Sequence, residues 1–414
     1  MSRVVIAGSF DTKAEPLGLL IRLLRDRDED PVVIDTSVFA GDPAATYPAS
    51  VVAERAGMSH GDLPSLGRAD AVAAMSRGTA AILSELHERR EVGALVCMGG
   101  SNAASVFSAL VPSLPLGIPK IVMATSVAGD TRPIVGGSDV VMFYPVVDVD
   151  GHNPILRRMI ERVAATAVVL KSASPLSDAP KTRPLVALTM YGVTTPCVQR
   201  VARLLGEAGV EPLVFHANGV GGRSVEAFAR HGVIDAVVDA TLAEVSNDVV
   251  GGAFGAGPDR GSAVAAAGLP QVIAPGAIDT IAFGPRHTVP ERFNDHAILA
   301  HNELVTLVRT TPDECRAIGR SLAERLGKPR GPVVVCIPLG GTSMLDTENG
   351  AFHDPRAVRA FRDGLMAAAD GRIEIKESPH NIIDPEFADL MVSELNRIMD
   401  IPRSEKGVSE GFST

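Results

Sequence analysis

At 414 residues the chain exceeds one ordinary hydrophobic core, and two or three domains are expected. It is 46% hydrophobic and rich in glycine (40), with 4% aromatics and no tryptophan, which suits α/β layers whose small side chains let helices sit close to a sheet. A formal charge of −10 without a basic cluster argues against a nucleic-acid surface, and no apolar run approaches the ~18 residues of a bilayer span. Cys97, Cys197, Cys315 and Cys336 are scattered without CxxC spacing and read as reduced core residues, so a cytoplasmic protein is expected.

In chain order, Arg3–Gly8 reads as a strand, followed by the polar loop Ser9-Phe10-Asp11-Thr12-Lys13 and a helix striped by Leu17, Leu20, Ile21 and Leu24. Pro31–Thr36 is a second strand; Phe39–Arg68 shows no clear period; Ala69–Glu91 is a long helix. The central stretch is Val92–Leu110. Its apolar run Leu95-Val96-Cys97-Met98 breaks at Gly99-Gly100, and Ser101-Asn102 opens a helix of small residues. A strand that turns on glycines into a helix leaves backbone N–H groups at the positive end of the helix dipole, a ready site for an anion. The same turn also serves as a plain connection without a ligand. Pro119–Thr125 and Asp139–Val147 are further strands, and Asn153-Pro154 is an N-cap with proline at the first helical position.

Ser174–Arg183, with two prolines and little apolar content, reads as a linker. The alternation then restarts with strands at Pro184–Thr189, Pro212–Phe215, Ala236–Asp239, Pro270–Ile273 and Val333–Ile337. Thr195-Pro196 and the capping box Thr311-Pro312-Asp313-Glu314 start helices, and Phe387–Met399 is a final amphipathic one. The reading is two Rossmann-like three-layer α/β domains with mostly parallel sheets and a cleft between them. The boundaries expected are 1–175 for the first domain, 176–183 for the linker, 184–403 for the second domain and 404–414 for a frayed tail.

Neither GxxxxGK[ST] nor GxGxxG occurs, so a nucleotide would be held by neither standard fingerprint. Three loops of the first half should emerge at one sheet edge: Gly8–Lys13, Gly99–Asn102 and Gly129–Thr131. They offer backbone donors, the hydroxyls of Ser9, Thr12, Ser101 and Thr131, the Lys13 cation, and the carboxylates of Asp11 and Asp130. Donors and lysine suit phosphate oxygens, and an aspartate suits Mg²⁺. In the second half, His216 with Asn218–Ser224 forms another glycine-rich loop, in which Gly221, Gly222 and the forked donor Arg223 are candidates for phosphate. Gly340-Gly341-Thr342-Ser343 is similar. Each aspartate taken singly also fits a solvated loop or helix cap.

Other constellations are weaker. Gly99-Gly100-Ser101-Asn102-Ala103 approaches a nucleophile elbow but lacks its last glycine and any upstream HGGG motif. Asp148, Asp150 and His152 alternate as metal ligands might, yet a polar strand end explains them too, and no metal site is expected. His287 and His380 lie in loops near acids, either as general bases or as hydrogen-bonded loop residues. An enzyme acting on a small phosphorylated or carboxylated metabolite would use Asp130, His216 or Asp279 as acid or base.

At these residues the chain resembles the tobamovirus-resistance-protein-like ATP-binding domain family, a bacterial group homologous to the N-terminal domain of a plant antiviral protein. The resemblance runs from Gly8-Ser9-Phe10-Asp11-Thr12-Lys13 to Asp384-Pro385-Glu386-Phe387. Between them lie Gly99-Gly100-Ser101, Ala128-Gly129-Asp130-Thr131, Gly137-Ser138-Asp139, Val146-Val147-Asp148, His216-Ala217-Asn218-Gly219, Gly221-Gly222-Arg223 and Ala256-Gly257-Pro258-Asp259-Arg260. It implies ATP, with or without Mg²⁺, in the first domain beside the interdomain cleft. It also implies a homodimer and a TIM-barrel partner protein, while the plant relative suggests a protein-interaction module. Where the family usually continues Gly-Gly-Ser-Gly-Gly-Thr, this chain runs Gly99-Gly100-Ser101-Asn102-Ala103-Ala104, exposing less backbone. Asp150 and His152 stand where apolar residues are usual, and Asn218 replaces a threonine.

Overall fold

The apolar runs of the first half become strands buried on both faces. The structure, a computed structural model, describes residues 2–172 and 182–400. The chain divides into two compact units, Met1–Pro180 and Lys181–Thr414. The first comprises β1 (Arg3–Gly8), α1 (Phe10–Arg25), β2 (Val32–Asp35), α2 (Ala49–Arg55), α3 (Arg68–Glu88), β3 (Val92–Gly99) and α4 (Ser101–Leu110). It continues through β4 (Lys120–Ala124), α5 (Arg132–Val135), β5 (Val140–Phe143) and α6 (Pro154–Lys171).

All five strands are parallel, in the order β2-β1-β3-β4-β5. Side chains alternate between two cores. Val5, Ala7, Leu95 and Cys97 pack with α2, α3 and α4, whereas Val4, Ile6, Val96 and Met98 pack with α1 and α6. Burial on both sides explains why these strands read as unbroken apolar runs. β1 has β2 on one side and β3 on the other, so the connections leave it in opposite directions. Their divergence opens a crevice at the carboxyl ends of β1 and β3, the topological switch point.

Two expectations are refined. Phe39–Arg68, read as aperiodic, contains α2, held so close to α3 that a Cβ on Gly78 would collide with the Val52 carbonyl oxygen. The fifth strand stops at Phe143, and the chain turns through Val146, whose φ is +68°. The N-cap at Asn153 forms as expected, its side chain accepting from the Leu156 N–H at 2.8 Å.

The second unit comprises β6 (Leu185–Met190), α7 (Thr195–Glu207), β7 (Glu211–His216), α8 (Gly221–Arg230), β8 (Ala236–Asp239), α9 (Ala243–Val250), α10 (Ser262–Ala267), β9 (Gln271–Ile273) and β10 (Thr280–Phe283). β11 (Ile298–Asn302), β12 (Val305–Arg309), α11 (Pro312–Leu326), β13 (Val333–Pro338), α12 (Pro355–Ala368), β14 (Ile373–Ser378) and α13 (Pro385–Met399) follow. Six parallel strands run β14-β13-β9-β8-β6-β7, with the switch point between β6 and β8. Val334 and Cys336 pack with α7 and α13, while Val333, Val335 and Ile337 pack with α11 and α12.

The antiparallel sheet β10-β12-β11 and the edge strand β14 are absent from the sequence reading. β14 (IEIKES) buries only its two ends, so it carries no apolar run. The expected linker 176–183 lies mostly, and the tail 404–414 wholly, outside the described residues. No helix among the described residues is long and apolar enough to cross a membrane. All four cysteines are free and buried.

Candidate functional site

Between the ends of β1 and β3 lies a cavity of about 370 Å³. Gly8, Ser9, Thr12 and Lys13 reach it from one loop, and Gly99, Gly100, Ser101 and Asn102 from the other. The two loops meet across bare backbone. A Cβ on Gly99, whose φ is +155°, would stand 3.1 Å from the Ala103 Cβ and 3.9 Å from the Lys13 Cγ. Gly100 is extended, with nothing within 4 Å of where its Cβ would be. No side chain caps α4, so its first N–H groups and the positive end of its dipole are left for a ligand or solvent.

Two cations flank this rim. Lys13 Nζ lies 3.5 Å from the largely exposed Asp150 carboxylate, a pairing worth about 0–1 kcal/mol that a phosphate can replace. Arg68, at the start of α3, forms another wall, and Thr36, Thr125 and Asp148 complete it. The sequence reading passed over Arg68, Thr36 and Thr125. The signal available for each was its position just beyond a strand or at a helix start.

Asp11 is not on that wall. Its Oδ2 accepts the N–H groups of Val38 (3.2 Å) and Phe39 (3.1 Å), and its own N–H donates to Ser37 Oγ at 3.0 Å. The buried Asp35 accepts from the Phe10 N–H at 3.5 Å and the Ser37 N–H at 2.9 Å. The two carboxylates thus staple the start of α1 to the loop after β2, spending donors that a ligand would need. The open helix end is α4, not α1.

The third loop stands apart. Gly129, Asp130 and Thr131 do not line the cavity, and Thr125 speaks for β4 instead. Asp130 forks onto Arg132, accepting from Nε at 2.9 Å and Nη2 at 2.8 Å. That fork holds the Arg132 guanidinium above its ordinary pKa, against the opposing effect of burial. Among the described residues, no group of three His, Cys, Asp or Glu side chains is placed to hold a metal.

The glycine-rich loop of the second unit is closed from within. Glu244 Oε1 accepts the N–H groups of Gly219 (2.8 Å) and Gly222 (3.0 Å), standing where an anion would stand. Arg260 then binds Glu244 through Nε at 2.9 Å and Asp239 through both terminal nitrogens at 2.7 Å. Burial alone would lower the Arg260 pKa, but Asp239 and Glu244 outweigh it and keep the guanidinium charged. Arg223 donates through Nε to the Ala256 carbonyl at 2.8 Å, Gly221 packs against the His216 backbone and Gly222 against Glu244 and Arg260, so the two glycines present their backbone to their own chain.

The acid–base candidates are dispersed. His216 is exposed, its ring 5.6 Å from that of Tyr191. Asp279 is 1% exposed, and its carboxylate accepts from Thr342 Oγ1 (3.0 Å) and Ser343 Oγ (2.7 Å). Burial and the neighbouring Asp346 push its pKa up to about 6, against Arg309 and the two hydroxyls. Thr342 Oγ1 also lies 3.2 Å from Asp346 Oδ2. One hydroxyl proton cannot serve two carboxylates at once, which favours a proton on the pair.

The match to known proteins follows this two-unit plan. Residues 2–174 match the N-terminal domain of the uncharacterised protein family UPF0261, and residues 183–399 match its C-terminal domain. The chain belongs to the UPF0261 family. It is 36% identical to a UPF0261 protein of Clostridium tetani over 404 residues, covering 96% of this chain and 99% of that one. It is also 36% identical to the ToMV resistance protein Tm-1(GCR237) of Solanum lycopersicum over 328 residues, 78% of this chain and 44% of that protein. The resemblance read from Gly8–Lys13 onward is therefore shown. Among solved structures, the glycosyltransferase SnogD of Streptomyces nogalater aligns at 12% identity, covering 95% of this chain and 100% of that one, with a TM-score of 0.17. A putative UDP-N-acetylglucosamine 2-epimerase of Listeria monocytogenes aligns at 10% identity over 99% and 100% of the two chains, with a TM-score of 0.20. Values this low carry no inference about activity.

Proposed function

We propose that the first unit binds ATP, with its phosphates in the cavity between β1 and β3. The observation that carries this reading is the convergence, at the switch point, of the uncapped α4 N-terminus, bare backbone at Gly99 and Gly100, and the cations Lys13 and Arg68. Dipole and N–H groups favour negative charge, lysine serves as a point charge, and arginine offers a planar fork. Ser9, Thr12, Thr36, Ser101 and Thr125 add hydroxyls around the same space. Among the described residues Asp148 is the one carboxylate on the wall, and it is the group that would meet a Mg²⁺ carried in with the nucleotide.

A thermal-unfolding series with ATP tests the reading. A ligand at one hundred times its Kd stabilises the folded state by about 2.7 kcal/mol, so the midpoint should rise with log concentration. No shift up to millimolar ATP, with and without Mg²⁺, would remove the nucleotide.

A further inference from the structure

The alternating Asp148, Asp150 and His152 divide between two places. Asp148 is on the wall of the β1/β3 cavity, and Asp150 faces Lys13 of the same cavity. Gly151, at φ +58°, then turns the chain, and His152 lines a different space of about 430 Å³ between α1 and α6. The two cavities share no lining residue.

The polar side chains of this second cavity offer donors. Arg22 makes no hydrogen bond or ion pair with any described residue. Arg157 spends Nε on Glu161 at 3.1 Å and keeps both terminal nitrogens. Asn153 Oδ1 is taken by the Leu156 N–H at 2.8 Å, which leaves the amide N–H groups. His152 supplies a ring N–H, and its Nε2 lies 3.9 Å from Glu15 Oε2, beyond hydrogen-bond reach. Among the described residues no carboxylate lines this cavity. Nor does α6 carry an acid in its first turn, so the arginines and the positive end of the helix dipole repel one another with nothing between them. In a chain of net charge −10, that is a local excess of positive charge. The back of the cavity is apolar, formed by the buried Leu19, Leu156 and Ile160. Its volume falls in the range of small-molecule sites, about 300–1,000 Å³.

We infer that the cavity between α1 and α6 is a second ligand site, for a small organic anion. The class is an oxyanion, carboxylate or phosphate monoester, on a compact apolar body. Guanidinium forks match the oxygens of either head group, and an anion among Arg22, His152 and Arg157 relieves their mutual repulsion. A cation or a neutral polyol would find no side-chain carboxylate or hydroxyl to accept its protons. The apolar back takes the body of the ligand, and a bare phosphate would leave most of the space empty. Since no lining residue is shared, this site stands or falls apart from the nucleotide reading.

The test titrates benzoate, phenyl phosphate and the neutral benzyl alcohol into wild type, Arg22→Gln, Arg157→Gln and Gly100→Glu, followed by ligand-observed NMR. Both arginines are exposed, so neither substitution disturbs the core. Wild type should bind benzoate or phenyl phosphate at least about tenfold more tightly than benzyl alcohol, the worth of one charge-assisted hydrogen bond. The tighter of the two anions identifies the head group. Each arginine variant should lose about tenfold for that anion. Gly100→Glu, which fills the β1/β3 corner instead, should leave its affinity unchanged. If benzyl alcohol binds as well as the anions, or if no probe binds at millimolar concentration, the assignment falls. If Gly100→Glu abolishes anion binding while both arginine variants keep it, the anions enter the nucleotide cavity and the assignment is overturned. ATP titrated into the same four proteins reports on the nucleotide reading separately.

Discussion

The two switch points share a topology and differ in what fills them. In the first unit the ends of β1 and β3 enclose about 370 Å³ of open space, and the α4 N-terminus has no cap. In the second unit Thr189 Oγ1 donates to Asp239 at 2.6 Å across the β6/β8 rim, and the Thr194 and Thr241 hydroxyls meet at 2.8 Å. The Glu244 carboxylate seals the neighbouring loop at α8. One sheet edge keeps its donors for a guest. The other has built its own anion. Glycine content does not tell them apart, because Gly219, Gly221 and Gly222 outnumber Gly99 and Gly100 yet sit in the closed corner.

The comparison breaks most severely at Arg260. Arg260→Leu leaves Asp239, Glu244 and Glu226 buried together without their cation. The expected loss is about 3–5 kcal/mol, read by urea unfolding. A loss under 1 kcal/mol would show that the cluster does not hold the second unit together. Glu244→Ala should cost about 3 kcal/mol by leaving Arg260 partly unpaired and the Gly219 and Gly222 N–H groups without an acceptor. It should also turn the closed corner into an open one. Added phosphate should then raise the melting temperature of this variant more than that of wild type.

A pH series sharpens the contrast in buried charge. Asp279 keeps its proton up to about pH 6 when folded, against about 3.9 when unfolded. The folded chain therefore binds more protons in that window, and stability falls as pH rises through it. The contribution is fully present below about pH 4 and is lost above about pH 6, about 3 kcal/mol in all. Asp279→Asn should flatten that part of the profile in urea titrations from pH 4 to 7.5. An identical slope in wild type and variant would relieve Asp279 of this role.

Much of the fold was legible because a strand buried on both faces must be apolar throughout, as Val4–Ala7 and Leu95–Met98 are. β14 was not legible, since an edge strand can carry Glu374, Lys376 and Glu377 while burying only Ile373 and Ser378 at its ends. At the site, Gly99 and Gly100 could be read because a strand–glycine–helix turn is a local pattern. The closing of the Gly219–Gly222 loop could not, because its acceptor lies 25 and 22 residues away on another helix. Asp11 misled for the same reason. Its partners Val38 and Phe39 come from the loop after β2, and no local spacing announces them.

The smallest expected effect on stability gives the most direct test. Gly100→Glu puts a carboxylate into the first unit's corner as Glu244 occupies the second's, at a position where a Cβ meets nothing within 4 Å. Stability should stay within about 0.5 kcal/mol of wild type, as for other substitutions that disturb no packing. Calorimetric titration with ATP should show binding to wild type and at least a thirtyfold loss in the variant. Equal affinity in a folded variant would place the nucleotide elsewhere and contradict the account.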